Sequence, residues 1–137
     1  MAENAVVKEQ LTQEMIEAGA QLTAKLEEMG LPVAVAMWFF LPDINEWRLL
    51  FASPVLSTAG PRDVYRKVEE ARRALGDKAA AAPLSVISLL DENHELVRLL
   101  PIALQTGVGS RLRFSKNVIS GHFIEDALIY RIAPKAA

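Results

Sequence analysis

Val7, Leu11, Met15, Ala18, Leu22, Leu26 and Met29 follow one another at steps of four, four, three, four, four and three. That spacing places them on one stripe of an α-helix, with glutamates and glutamines on the other faces. The helix begins near Asn4 or, alternatively, at Thr12, where Leu11 and Ile16 have the spacing of a hydrophobic staple. Gly30 supplies the left-handed position after its last turn, and Pro32 blocks continuation. With the earlier start, residues 1–30 form one long N-terminal helix. From Ala5 to Met29 it would run about 37 Å at ~1.5 Å per residue. A compact chain of this size has a radius of gyration of about 14 Å. Such a helix either wraps the sheet from edge to edge or overhangs it; an overhang leaves Val7, Leu11 and Met15 bare, and these three are then the expected interface.

The period then changes. Residues 33–41 are an unbroken apolar run, residues 42–45 (Pro-Asp-Ile-Asn) are a turn cluster, and residues 46–53 half-alternate. This is a β-hairpin holding both tryptophans and three of the five phenylalanines, so the rest of the chain is expected to pack around it. Its first strand is apolar on both faces and belongs in the sheet interior. In its second strand Trp47, Leu49 and Phe51 face one way, and Glu46, Arg48 and Leu50 the other. Pro54 ends that strand, and residues 57–61 read as loop. A second helix is predicted from Pro61, at its first position, to Leu75, with Gly76 as its stop. Val64, Val68, Ala71 and Leu75 are its buried stripe, and Arg66–Glu70 and Glu69–Arg73 are its surface pairs.

Residues 84–90 predict a strand. Residues 92–104 predict a helix capped by Asp91 and interrupted at Pro101. Residues 110–115 alternate as a strand. Residues 118–124 and 127–132 are two more, or one long strand bent at Gly121. Residues 133–137 read as a loose tail. The predicted order is α-β-β-α-β-α-β-β(-β): a single α+β domain over residues 1–137, in two or three layers, with a mixed or antiparallel sheet built on the N-terminal hairpin.

The 137-residue length fits one domain, and 51% hydrophobic content supports a folded core. Cysteine is absent, which removes disulfides and thiolate chemistry and fits a cytoplasmic setting. The N-terminus lacks the basic and apolar regions of a signal peptide, and the longest apolar run is too short for a membrane helix. A net charge of −2 argues against nucleic acid as a partner. Its distribution is uneven: residues 1–30 hold two lysines against six glutamates, and residues 106–137 hold five basic against two acidic residues. An acidic helix can therefore meet a basic sheet, within one chain or between two.

Four clusters carry chemistry, each with a plainer account beside it. Asp43 and Glu46 with Arg48 have the residue types of a metal-dependent nuclease, yet Asp43 sits in a turn, where backbone hydrogen bonding explains it. Asp91, His94 and Glu95, with Glu92, have metal-ligand spacing on a helix, yet acids at a helix N-terminus also stabilise it unaided. His122 and Asp126 share a face of an extended chain and could act as an acid–base pair, with Glu125 opposite; a polar turn is the alternative. Arg111, Arg113 and Arg131, with the Gly107-Val-Gly109 segment before them, are anion-binding candidates or partners of the N-terminal glutamates. No cofactor is implied. The expected function is a non-enzymatic protein-interaction or scaffold domain that associates with itself. The alternative is a metal-dependent phosphodiesterase-like hydrolase using Asp43, Glu46, His122 and Asp126.

Overall fold

The computed structural model describes residues 7–103, 111–119 and 121–132. They form a single α+β domain in three layers around a five-stranded sheet. The elements are α1 (Gln13–Glu28), β1 (Val35–Leu41), β2 (Glu46–Ala52), α2 (Val55–Ala59), α3 (Pro61–Leu75), β3 (Ile87–Leu90), α4 (Glu95–Ala103), β4 (Leu112–Ile119) and β5 (His122–Ile132). The strand order is β3-β2-β1-β5-β4, with β2 and β3 parallel and every other pair antiparallel. No helix among the described residues is long and apolar enough to cross a membrane.

The predicted hairpin is β1–β2, and β1 lies inside the sheet with both faces covered. On one face Trp38, Phe40, Trp47, Leu49 and Phe51 pack under α1 and α3. On the other, Val35, Met37, Leu50 and Ala52 meet Val97 and Leu100 of α4. The alternation of β2 decides which of its side chains enters which layer. Helix α3 has its predicted bounds, with Pro61 inside its start and Gly76 (φ +57°) at its end. Its ion pairs differ from the expected ones: Arg66 meets Asp63 and Arg72 meets Glu69, both three residues apart. Glu69 is thus taken by Arg72 instead of Arg73, and Arg72 is fixed in place by a second bond, to the Ala82 carbonyl. Residues 55–59, expected in part as loop, make the short helix α2. The predicted strand over residues 84–90 opens with a 3₁₀ turn and becomes strand only at Ile87.

Helix α1 is much shorter than a helix over residues 1–30. Thr12 is its N-cap, in extended conformation, and its Oγ1 accepts from the Met15 N–H at 3.1 Å. A threonine that accepts this bond satisfies an otherwise orphaned donor, and its extended φ/ψ ends the helix there. Leu11 and Ile16 both pack on the core beside this cap, as a staple requires. At the other end the Leu31 N–H reaches the Leu26 carbonyl and the Gly30 N–H the Glu27 carbonyl, a Schellman closure with Gly30 at φ +90°. The long overhang is therefore absent. Leu11 and Met15 are half-buried against the core, and of the expected interface only Val7 stays bare, at 83% exposure.

The C-terminal strands also depart from expectation. The 110–115 strand continues to Ile119, and Gly121 (φ +85°) makes the β4–β5 turn instead of bending a strand. Alternation breaks twice along β5. Tyr130 is an extra residue opposite the Ala36/Met37 step, so Ile129 and Ile132 both face α4 while Tyr130 faces α1. Lys116 takes φ +47° and the Lys116–Glu125 rung is missing from the ladder. The 133–137 tail and the Gly107-Val-Gly109 segment lie outside the described residues.

Candidate functional site

Because α1 starts at Thr12, residues 7–11 are free to run as a strap across one end of the sheet. Asn45, in the left-handed conformation (φ +52°) of the β1–β2 turn, holds the strap's backbone from both sides. Its Oδ1 accepts from the Glu9 N–H at 2.9 Å, and its Nδ2 donates to the Val7 carbonyl at 3.0 Å. Trp47 Nε1 donates to the Glu9 carbonyl at 2.8 Å. The side chain of Lys8 points inward and ends 2.7 Å from Asp126 Oδ2.

Asp126 is the most deeply buried charge among the described residues, at 3% exposure. Arg113 meets it with both arms, Nε at 2.6 Å from Oδ1 and NH2 at 2.7 Å from Oδ2. Ser115, directly opposite on β4, donates to Oδ1 at 3.0 Å. A buried carboxylate requires this saturation, since an isolated ion in the interior is far too costly. The walls are aromatic. Lys8 Nζ lies 4.8 Å from the Phe40 ring centre and 5.7 Å from that of Trp47, and the Arg113 guanidinium lies 5.5 Å from Trp47. Lys8, Glu9, Leu11, Trp47, Arg113 and Asp126 border an open depression of about 330 Å³.

Burial alone would push the Asp126 carboxyl up. The hydrogen bonds from Arg113, Lys8 and Ser115, together with the Arg113 charge, overcome it and hold the group at about 2. The same bond to Asp126 pushes Arg113 up. A carboxyl depressed in the folded state adds stability that is complete above its unfolded pKa of 3.8 and is lost as pH falls through about 2. At 1.36 kcal/mol per pH unit the loss is about 2 kcal/mol. Urea unfolding at a series of pH values should show wild type losing this amount between pH 5 and pH 2, while Asp126→Asn loses correspondingly less. Equal acid sensitivity of the two proteins would remove Asp126 from this role.

The other predicted groups are placed apart from this cluster. His122 does not share a face with Asp126. Its Nε2 lies 3.0 Å from Glu95 Oε1 of α4, on the opposite side of the sheet from Lys8 and Trp47. The break at Lys116–Glu125 is the reason: both strands exchange faces there, so four residues no longer return a side chain to the same side. Asp43 is exposed in the β1–β2 turn, and Glu46 pairs with Arg48 at 3.5 Å. Asp91 makes an Asx turn, its Oδ1 accepting from the Asn93 N–H. The cap of α4 is His94, whose Nδ1 accepts from the Leu96 N–H, and so the helix begins at Glu95. Among the described residues no three histidine or acidic side chains gather where they could hold a metal ion.

The arginines meet the acidic helix of their own chain. Arg111 reaches Glu17 at 3.2 Å and Arg131 reaches Glu27 at 3.5 Å while donating to the Val33 carbonyl. Arg113 is committed to Asp126. Sequence reasoning missed Lys8, Ser115, Asn45 and the Trp47 N–H. The Leu11–Ile16 staple was the available signal, because it places Lys8 outside the helix. Comparison with protein-family models, curated proteins and solved structures returned no match.

Proposed function

We propose that this chain is a non-enzymatic protein-interaction domain that associates with itself through the end of the sheet where the strap lies. One observation carries the reading. Val7, Ile44, Val118 and Phe123 are the large apolar side chains left bare among the described residues, and all four belong to this end. Ile44 sits in the β1–β2 turn, and Val7 is tied to that turn through Asn45. Val118 and Phe123 face each other beside the β4–β5 turn. Because β1 and β5 are antiparallel, the end of β1 lies beside the start of β5. Scattered apolar residues are normal on a surface; their confinement to one end supports an interface. Arg111 and Arg131 are already paired with Glu17 and Glu27 of their own chain, so the proposed contact is apolar. A cytoplasmic setting is part of the same proposal.

Light scattering at high micromolar concentration should give a dimer that persists in high salt, because apolar burial is not screened. Phe123→Asp should shift it to monomer and keep a cooperative melt, lowered only by the lost association, since the ring is 60% exposed. A wild-type monomer at that concentration would overturn the proposal.

A further inference from the structure

We infer that residues 7–11 are a self-bound ligand, and that the groove beneath them is a recognition site for an extended peptide carrying a lysine. The inference rests on the strap and does not require self-association.

The groove reads one side chain and otherwise reads backbone. Asn45 bonds to the Glu9 N–H and the Val7 carbonyl, and Trp47 bonds to the Glu9 carbonyl. These three bonds would form with any residue at position 7 and any but proline, which has no N–H, at position 9. The Val7 and Glu9 side chains are correspondingly exposed. Position 8 is different. Its ammonium is met by the Asp126 carboxylate and by the faces of Phe40 and Trp47, and a carboxylate beside aromatic rings is the chemistry that recognises an alkylammonium group. Backbone bonds for hold and one pocket for choice is how proteins bind extended peptides.

The occupied and vacated states are both compatible with the rest of the fold. Upstream of Leu11 the strap is held by hydrogen bonds and one ion pair, and Lys8 itself is 42% exposed. When it leaves, Asp126 keeps both Arg113 bonds and the Ser115 bond, so no orphaned charge is created. Asn45 and the Trp47 N–H turn to water. Leu11 in the core and the Thr12 cap hold α1 in place, which confines the motion to the strap. The chain's own lysine thus competes with an incoming one, and the apparent affinity for a peptide is lowered to the fraction of molecules with an open strap.

The test uses the full chain, wild type and Lys8→Ala, with Lys8→Met as a second variant that keeps the aliphatic stem. The probe is a synthetic peptide with the sequence of residues 6–11, beside a copy with norleucine for lysine. Binding is read from the Trp47 indole N–H resonance. Emptying the site should strengthen binding of the lysine peptide by about tenfold or more over wild type. The norleucine peptide should not bind either variant. Both variants should keep the cooperative melt of wild type. If the folded variants bind the lysine peptide no better than wild type does, or bind both peptides alike, the groove is a structural seat for the strap and the inference falls.

Discussion

Gly19→Ala should destabilise this domain by about 3 kcal/mol, although alanine is the better helix former by about 1 kcal/mol. Gly19 lies inside α1, where that helix crosses β1 and β5. A Cβ there would meet the Tyr130 hydroxyl first, then Trp38 Nε1 at 2.7 Å and Tyr130 Cε2 at 2.8 Å. Neither ring can step aside. Trp38 is fully buried, and its Nε1 donates to the Met15 carbonyl at 3.0 Å. Tyr130, 6% exposed, donates to the Ile16 carbonyl at 2.6 Å. Burial pushes the Tyr130 hydroxyl well above the ordinary phenol range, so it stays a donor at any pH the protein meets. Helix α1 would have to lift from the sheet, stretching both bonds and loosening Leu22 and Leu26. Overpacking of this kind costs about 1–3 kcal/mol, and each weakened bond about 1 more. Urea denaturation measures the outcome. A midpoint at or above that of wild type would show that α1 stands further from the sheet than described.

Trp47→Ala should cost more, about 3–5 kcal/mol, the usual loss for a large core aromatic. Trp47 is 4% exposed, and its ring lies 5.2 Å from that of Phe40 at a tilt of 51°. It packs beneath α1 and α3 on one side of the sheet and carries the strap through its indole N–H. Truncation therefore opens a cavity, removes the Glu9 bond and takes one aromatic wall from both Lys8 and Arg113. Trp47→Phe separates these effects. It restores most of the packing but not the bond, so its midpoint should lie between those of wild type and Trp47→Ala. An unchanged urea midpoint for Trp47→Ala would show that the ring does not support the core.

Much of the architecture was legible along the chain because it is locally encoded. Continuous apolarity in residues 33–41 marks a strand covered on both faces, and the alternation of Trp47, Leu49 and Phe51 assigns them one layer. Proline at the first position of α3 and Gly76 after its last are local conformational preferences that act without tertiary help. The same is true of Gly30 closing α1. The start of α1 was readable in two ways, because periodicity alone continues smoothly from Met15 back through Leu11 to Val7. Only the Thr12 hydrogen bond and the burial of Leu11 choose between them. The bonding set was not legible. Lys8 and Asp126 are 118 residues apart in the chain, and Arg131 and the Val33 carbonyl 98 apart, so nothing in the local pattern pairs them. The separation of His122 from Asp126 was equally hidden, because it depends on one residue of β4, Lys116, adopting φ +47° and exchanging the faces of two strands. Periodicity and turn chemistry are properties of neighbouring residues, and the sequence by itself determined those. Which charge is buried, what saturates it and what lies over it depend on strand register and on where α1 stops, and these only the packed tertiary structure decided.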